Sequence, residues 1–200
     1  MTTFISLLTA VAIWWAPSGG YQIGDKVENF SLLNTIDNEQ VALADYKDKA
    51  GVIVIFTCNH CPYAKLYEDR IMELDKKMSA QGFPVVAISP NDPQKEPDDS
   101  PENMQKRALE KGYAFPYLFD ATQEVAQSFG ATRTPHVFLL HNRGGEFYLA
   151  YIGAIDDNTN DPDAVEVRFV ENAVKALKSG LPPNPATTKA IGCTIKWKES

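Results

Sequence analysis

The stretch Gly51-Val52-Ile53-Val54-Ile55-Phe56-Thr57-Cys58-Asn59-His60-Cys61-Pro62 decides the fold. Residues 51–56 form an unbroken apolar run of β-branched and aromatic side chains, the pattern of a strand buried on both faces of a sheet. Beyond Pro62 the period changes. Tyr63, Tyr67, Ile71, Leu74 and Met78 recur at three- and four-residue spacing, with Glu68, Asp69, Arg70, Lys76 and Lys77 opposite, which predicts a helix ending near Gly82. Two cysteines therefore stand where a strand hands over to a helix. This reading puts Cys58 at the helix N-terminus, where free backbone N–H groups and the positive dipole end favour a thiolate. Cys58 is accordingly expected to titrate well below the roughly 8.5 of a free thiol.

A Cys-x-x-Cys is also half of many zinc sites, but a second ligand pair is hard to find. Outside the motif there remain Cys193, His136 and His141, and the two histidines fall on a predicted strand and turn. A c-type haem site needs histidine after the second cysteine, where Pro62 stands. No metal or cofactor is expected, and a redox pair is the preferred reading.

Thr132-Arg133-Thr134-Pro135-His136-Val137-Phe138-Leu139-Leu140 sets a proline at the entry of an apolar strand. A hairpin turn follows at Asn142-Arg143-Gly144-Gly145, and a further strand runs from Tyr148 to Ile152. A last helix is expected with Asp161 as N-cap, Pro162 at its first position and Gly180 closing it. Residues 91–99, rich in Asp and Pro, read as a solvated loop between a strand at 84–89 and a helix opened by Ser100-Pro101-Glu102.

Taken together, these motifs resemble the thioredoxin fold, in which the proline of Thr134-Pro135 is cis and packs against the cysteine pair. Residues 113–120, 124–131 and the opening 24–32 and 41–46 look like the AhpC/TSA (redoxin) family. Ile155-Asp156-Asp157-Asn158 and the ending Gly192-Cys193-Thr194-Ile195-Lys196-Trp197 are similar to its peroxiredoxin-like subgroup. The resemblance spans roughly residues 21–198. It implies an α/β fold with a central mixed sheet flanked by helices and an N-terminal β-hairpin. It also implies thiol-disulfide exchange, with Cys58 as nucleophile and Cys61 as resolving thiol. His60, Thr134 and Pro135 would support the site, and Cys193 is a candidate redox relay. A thiol-dependent peroxidase is the enzymatic alternative, and a metal-binding or docking module the non-enzymatic one.

The departures from the family pattern bear on that choice. A peroxidatic cysteine of the Pro-x-x-x-Thr/Ser-x-x-Cys type needs proline and a hydroxyl seven and three residues upstream. Cys58 has Gly51 and Ile55 there, and Cys61 has Val54 and Cys58. The buried acid usual six residues before the first cysteine is replaced by Val52, which leaves the group that shuttles the proton from Cys61 unassigned. His60 resembles the histidine before the second cysteine of the oxidase DsbA, where it favours the reduced form.

The expected partners are a disulfide-containing protein or small thiol/disulfide substrate and an upstream thiol reductant. A net charge of −7 argues against a nucleic-acid surface. Phe4 to Ala16 is an uncharged apolar run of signal-peptide length. Residues 1–20 therefore read as a leader, with export to an oxidising compartment expected and a membrane contact only if the leader stays uncleaved. Residues 21–180 read as the domain, and 181–200 as a stiff Pro-rich connector and a tail that docks on it.

Overall fold

The computed structural model describes residues 19–199; the expected leader lies almost wholly outside the described residues. In chain order the strands are β1 (Lys26–Val27), β2 (Ser31–Asn34), β3 (Gln40–Ala42), β4 (Gly51–Phe56), β5 (Val85–Ser89), β6 (Tyr117–Phe119), β7 (Arg133–Thr134), β8 (His136–Arg143), β9 (Glu146–Gly153) and β10 (Cys193–Thr194). The α-helices are α1 (Pro62–Ser79), α2 (Pro101–Lys111), α3 (Glu124–Phe129) and α4 (Phe169–Lys178).

The eight-stranded sheet runs β1-β9-β8-β4-β5-β6-β2-β3 and is mixed: β4 lies parallel to β5 and antiparallel to β8. All six residues of β4 are buried, as its apolar run predicts. The pleat divides them between two cores. Ile53 and Ile55 pack with Tyr67, Ile71 and Leu74 of α1, Met104 of α2 and Val170 of α4. Val52, Val54 and Phe56 pack on the opposite face with Phe129 of α3, Phe138 of β8 and Ile195 of the tail. Helices thus cover both faces, three on one side and α3 on the other. This is the expected thioredoxin-like α/β arrangement.

β4 and β5 are parallel neighbours, so the segments that follow them, 57–61 and 90–99, emerge at the same end of the sheet. That placement builds the site. It also overturns the reading of 91–99 as a solvated loop, because Asn91, Asp92 and Asp99 are buried in it.

The last helix also departs from expectation, beginning at Phe169 and not at Pro162. The intervening backbone is captured by side chains. Asn158 Oδ1 accepts the Asn160 and Asp161 N–H groups, Asp161 accepts from Asp163 N–H, and Asp157 accepts from Glu166 N–H. Such local Asx bonds compete with a helix and here displace its start. Gly180 follows the helix at φ 73°, as expected for its closing residue. In the connector, the Asn184-Pro185 peptide is cis, and residues 186–188 run beside β9 through Ile152 N–H to Ala186 O and Thr188 N–H to Ile152 O.

Candidate active site

The Thr134-Pro135 peptide is cis, and Thr134 stands against all three cysteines. Its hydroxyl lies 3.1 Å from Cys58 Sγ, and its carbonyl oxygen lies 3.3 Å from Cys61 Sγ. Its backbone pairs with Cys193 across the antiparallel β7–β10 ladder. Cys61 and Cys193 form a disulfide with Cα atoms 5.9 Å apart, within the geometry such a bond needs. Cys58 is the free thiol. The structure thus brings Cys58, His60, Cys61, Thr134, Pro135 and Cys193 into one cluster.

The local setting of Cys58 differs from the sequence reading. Helix α1 starts at Pro62 with Cys61 at its N-cap, so Cys61, not Cys58, occupies the helix N-terminus. Cys58 is 3% exposed. Burial pushes its thiol up to about 12 and the Asp99 carboxylate adds to the rise, while the Thr134 hydroxyl, the Cys61 N–H and the Asn91 amide oppose it. With the tail disulfide formed, Cys58 is held as a thiol. The expected depression is corrected for this state.

A buried acid does stand beside Cys58: Asp99. It lies in the short 3₁₀ turn Pro97–Asp99 and is fully buried. Oδ1 accepts the backbone N–H groups of Asn59 (2.7 Å) and His60 (3.0 Å). Oδ2 is 2.6 Å from His60 Nδ1 and accepts from Asn91 Nδ2 at 2.8 Å. His60 is therefore not a solvent-facing residue of a first turn. It is a half-buried partner of a carboxylate, with its Nε2 3.8 Å from Glu96. Asn59 Oδ1 accepts the Tyr117 hydroxyl, fixing the loop from beneath.

Sequence reasoning missed Asp99, Asn91 and Gln123. Gln123 is buried at positive φ, and its amide donates to Pro90 O and Lys196 O. Lys196 is gripped further by Asn91 Oδ1, which accepts its N–H. The adjacency of β4 and β5 is the signal from which Asp99 could have been anticipated.

His136 and His141 lie five residues apart on β8, so they point to opposite sheet faces and cannot share an ion. Among the described residues, a different group has metal-ligand chemistry: ligand atoms of Cys58, His60 and Asp99 lie within 4.8 Å of one another. Asp99 already accepts four hydrogen bonds, which a cation would have to displace.

A mixed sheet ending in a buried cysteine centre beside a cis-proline defines a thioredoxin-fold protein of the oxidoreductase class. The chain belongs to the AhpC/TSA family, which matches residues 23–145. The structure is similar to the crystal structure of an uncharacterized conserved protein from Geobacillus kaustophilus, with TM-score 0.83 and 38% identity over 90% of this chain and 94% of that one. The thiol-disulfide oxidoreductase ResA of Geobacillus thermodenitrificans is 24% identical over 154 residues, covering 72% of this chain and 82% of that protein. The fold is shared with a thiol:disulfide interchange protein of the thioredoxin family from Chlorobium tepidum, at TM-score 0.53 and 21% identity over 66% of this chain and 87% of that one.

Proposed function

We propose that this protein is a thiol-disulfide oxidoreductase that reduces or exchanges disulfides through Cys58 and Cys61. The observation that carries the reading is the meeting of three sulfurs at Thr134, with one pair already bonded. In the reduced protein, Cys58 gives up its proton to the Asp99–His60 pair and its sulfur attacks a substrate disulfide, expelling one substrate thiolate. Cys61 then attacks Cys58 Sγ, releasing the second substrate thiol and leaving a Cys58–Cys61 disulfide. Two electrons pass to the substrate, and the displaced sulfurs take up the two protons that the cysteines lose. Thr134 and Pro135 present backbone to the substrate chain, and a thiol reductant restores the pair.

Hydroperoxide reduction is the weaker reading. Gly51 and Ile55 supply neither the pyrrolidine nor the hydroxyl that aligns a peroxide at Cys58. Export is proposed from the apolar run at residues 4–16; among the described residues no helix is long and apolar enough to cross a membrane.

A trapping experiment tests the order of attack. The Cys61→Ser, Cys193→Ser double variant is expected to accumulate a mixed disulfide between Cys58 and a model peptide disulfide, because neither resolving thiol remains. The Cys58→Ser, Cys193→Ser variant should accumulate none. Equal trapping by both would overturn the assignment of Cys58 as nucleophile.

A further inference from the structure

The tail lies on the edge that a substrate strand would use. Cys193 is antiparallel to Thr134, and Thr194 to Arg133, so the β7 edge beside Pro135 is occupied by the chain's own residues. The fit is close. A Cβ on Gly192 would stand 2.1 Å from Thr134 O and 2.6 Å from Thr134 C, so only glycine lets the tail backbone press there. Arg133 Nη1 donates to Gly192 O, Ile195 N–H reaches Thr132 O, and Ile195 is buried in the core beneath. Lys196 is fixed on both sides of its peptide unit: its N–H donates to Asn91 Oδ1, and its carbonyl accepts from Asp92 N–H and Gln123 Nε2. Asn91 also donates to the Asp99 carboxylate, so tail docking and the setting of Cys58 share a residue.

Resting on the thiol-disulfide reading above, we infer that the tail is an internal stand-in for the substrate strand, which moves the disulfide from Cys58–Cys61 to Cys61–Cys193 and closes the site until a donor thiol reopens it. After substrate is reduced, the Cys193 sulfur attacks Cys61 Sγ. The Cys61–Cys193 bond forms, the Cys58–Cys61 bond breaks, and Cys58 leaves and takes up the proton that Cys193 gave. No electrons are gained or lost. Cys193 is the most exposed of the three sulfur residues, so the transfer carries the disulfide outward. Two equivalents of a small thiol then reduce it, yielding the thiol's own disulfide and freeing the tail.

The test uses the full chain oxidised with glutathione disulfide, quenched in acid, alkylated and digested with trypsin. Cysteines 58 and 61 share the fragment 50–65, while Cys193 lies in 190–196, so the two disulfides give different products. Wild type should yield the cross-linked fragments in roughly tenfold excess over the internal disulfide. On the native protein, tryptic cleavage after Lys196 should be roughly tenfold slower oxidised than after dithiothreitol, because a docked backbone resists the protease. Cys193→Ser should lose that difference. Gly192→Ala, which keeps every thiol, should speed cleavage of the oxidised form and raise the share of Cys58–Cys61. Predominance of Cys58–Cys61 in wild type, or cleavage independent of redox state, would overturn the inference. Insulin reduction measured in parallel separates the two ideas. A redox-dependent tail in a protein that reduces no disulfide refutes the proposed function alone, and turnover with a redox-independent tail refutes this inference alone.

Discussion

Replacing Asp99 with Asn keeps the shape of the side chain and removes its charge, and two effects in opposite directions follow. The carboxylate accepts four hydrogen bonds in a fully buried position. An amide oxygen can keep the bonds from Asn59 and His60 N–H, but each falls from a charge-assisted to a neutral bond, a loss of roughly 1 kcal/mol apiece. The new amide N–H₂ would face the Asn91 N–H₂, and an unpaired buried donor costs about 1–3 kcal/mol. Relief of the buried charge offsets part of this, giving a net destabilisation of about 2–4 kcal/mol. With a urea dependence of about 1–3 kcal/mol per molar, the denaturation midpoint should fall by roughly 1–2 M. Loss of the Asp99 charge should also make Cys58 more acidic, so its alkylation profile in the folded protein moves to lower pH. Disulfide exchange should nevertheless fall about 10²-fold, the usual worth of a positioned base. A more acidic Cys58 with undiminished exchange would refute the proton-accepting role, and an unchanged midpoint would refute the structural one.

Three further outcomes follow from local chemistry. In the oxidised protein, Cys58 is pushed up to about 12, so the neutral thiol persists below that pH. Its alkylation should stay slow near neutrality and rise only in strongly alkaline solution, and a plateau near pH 8 would contradict the burial argument. His136 is held down to about 4 by burial, with the Arg133 charge adding to the effect. Its unfolded form binds a proton first as pH falls, so the stability it contributes is full above roughly 6.5 and lost towards 4, by up to about 3 kcal/mol. His136→Phe should flatten the stability profile across that window in urea titrations, and an unaltered slope would exclude His136 as its source. Gly51→Ala should cost several kcal/mol, because its Cβ would meet Leu140 O at 2.2 Å and the Phe83 ring at 2.4 Å; calorimetry showing an unshifted midpoint would contradict this close approach.

The parts of the fold that the sequence made legible are those governed by local pattern. The apolar run 51–56, the switch to helical period after Pro62 and the Gly144-Gly145 turn each carry their own signal, and each element formed. Thr134-Pro135 beside the cysteines was implied by resemblance and is cis. What escaped is long-range. Asp99 is 39 residues from His60 and sits in a segment whose composition reads as solvated; only the parallel pairing of β4 with β5 brings it to the cysteines. The acidity of Cys58 escapes for a related reason. Spacing alone places it at the helix N-terminus, whereas the covering tail and the carboxylate from another loop decide its environment. The displaced start of α4 is a local failure of another kind, since Asp161-Pro162 carries a good helix signal that Asn158 and Asp157 override.

The central claim is that this cysteine centre exchanges disulfides and does not chiefly reduce peroxides. One preparation should be assayed for reduction of insulin disulfides and for turnover of hydrogen peroxide with the same dithiol donor, with Cys58→Ser and Cys61→Ser as controls. The account predicts insulin reduction that both substitutions abolish, with peroxide turnover far slower. Rapid peroxide turnover dependent on Cys58, with insulin left intact, would contradict it.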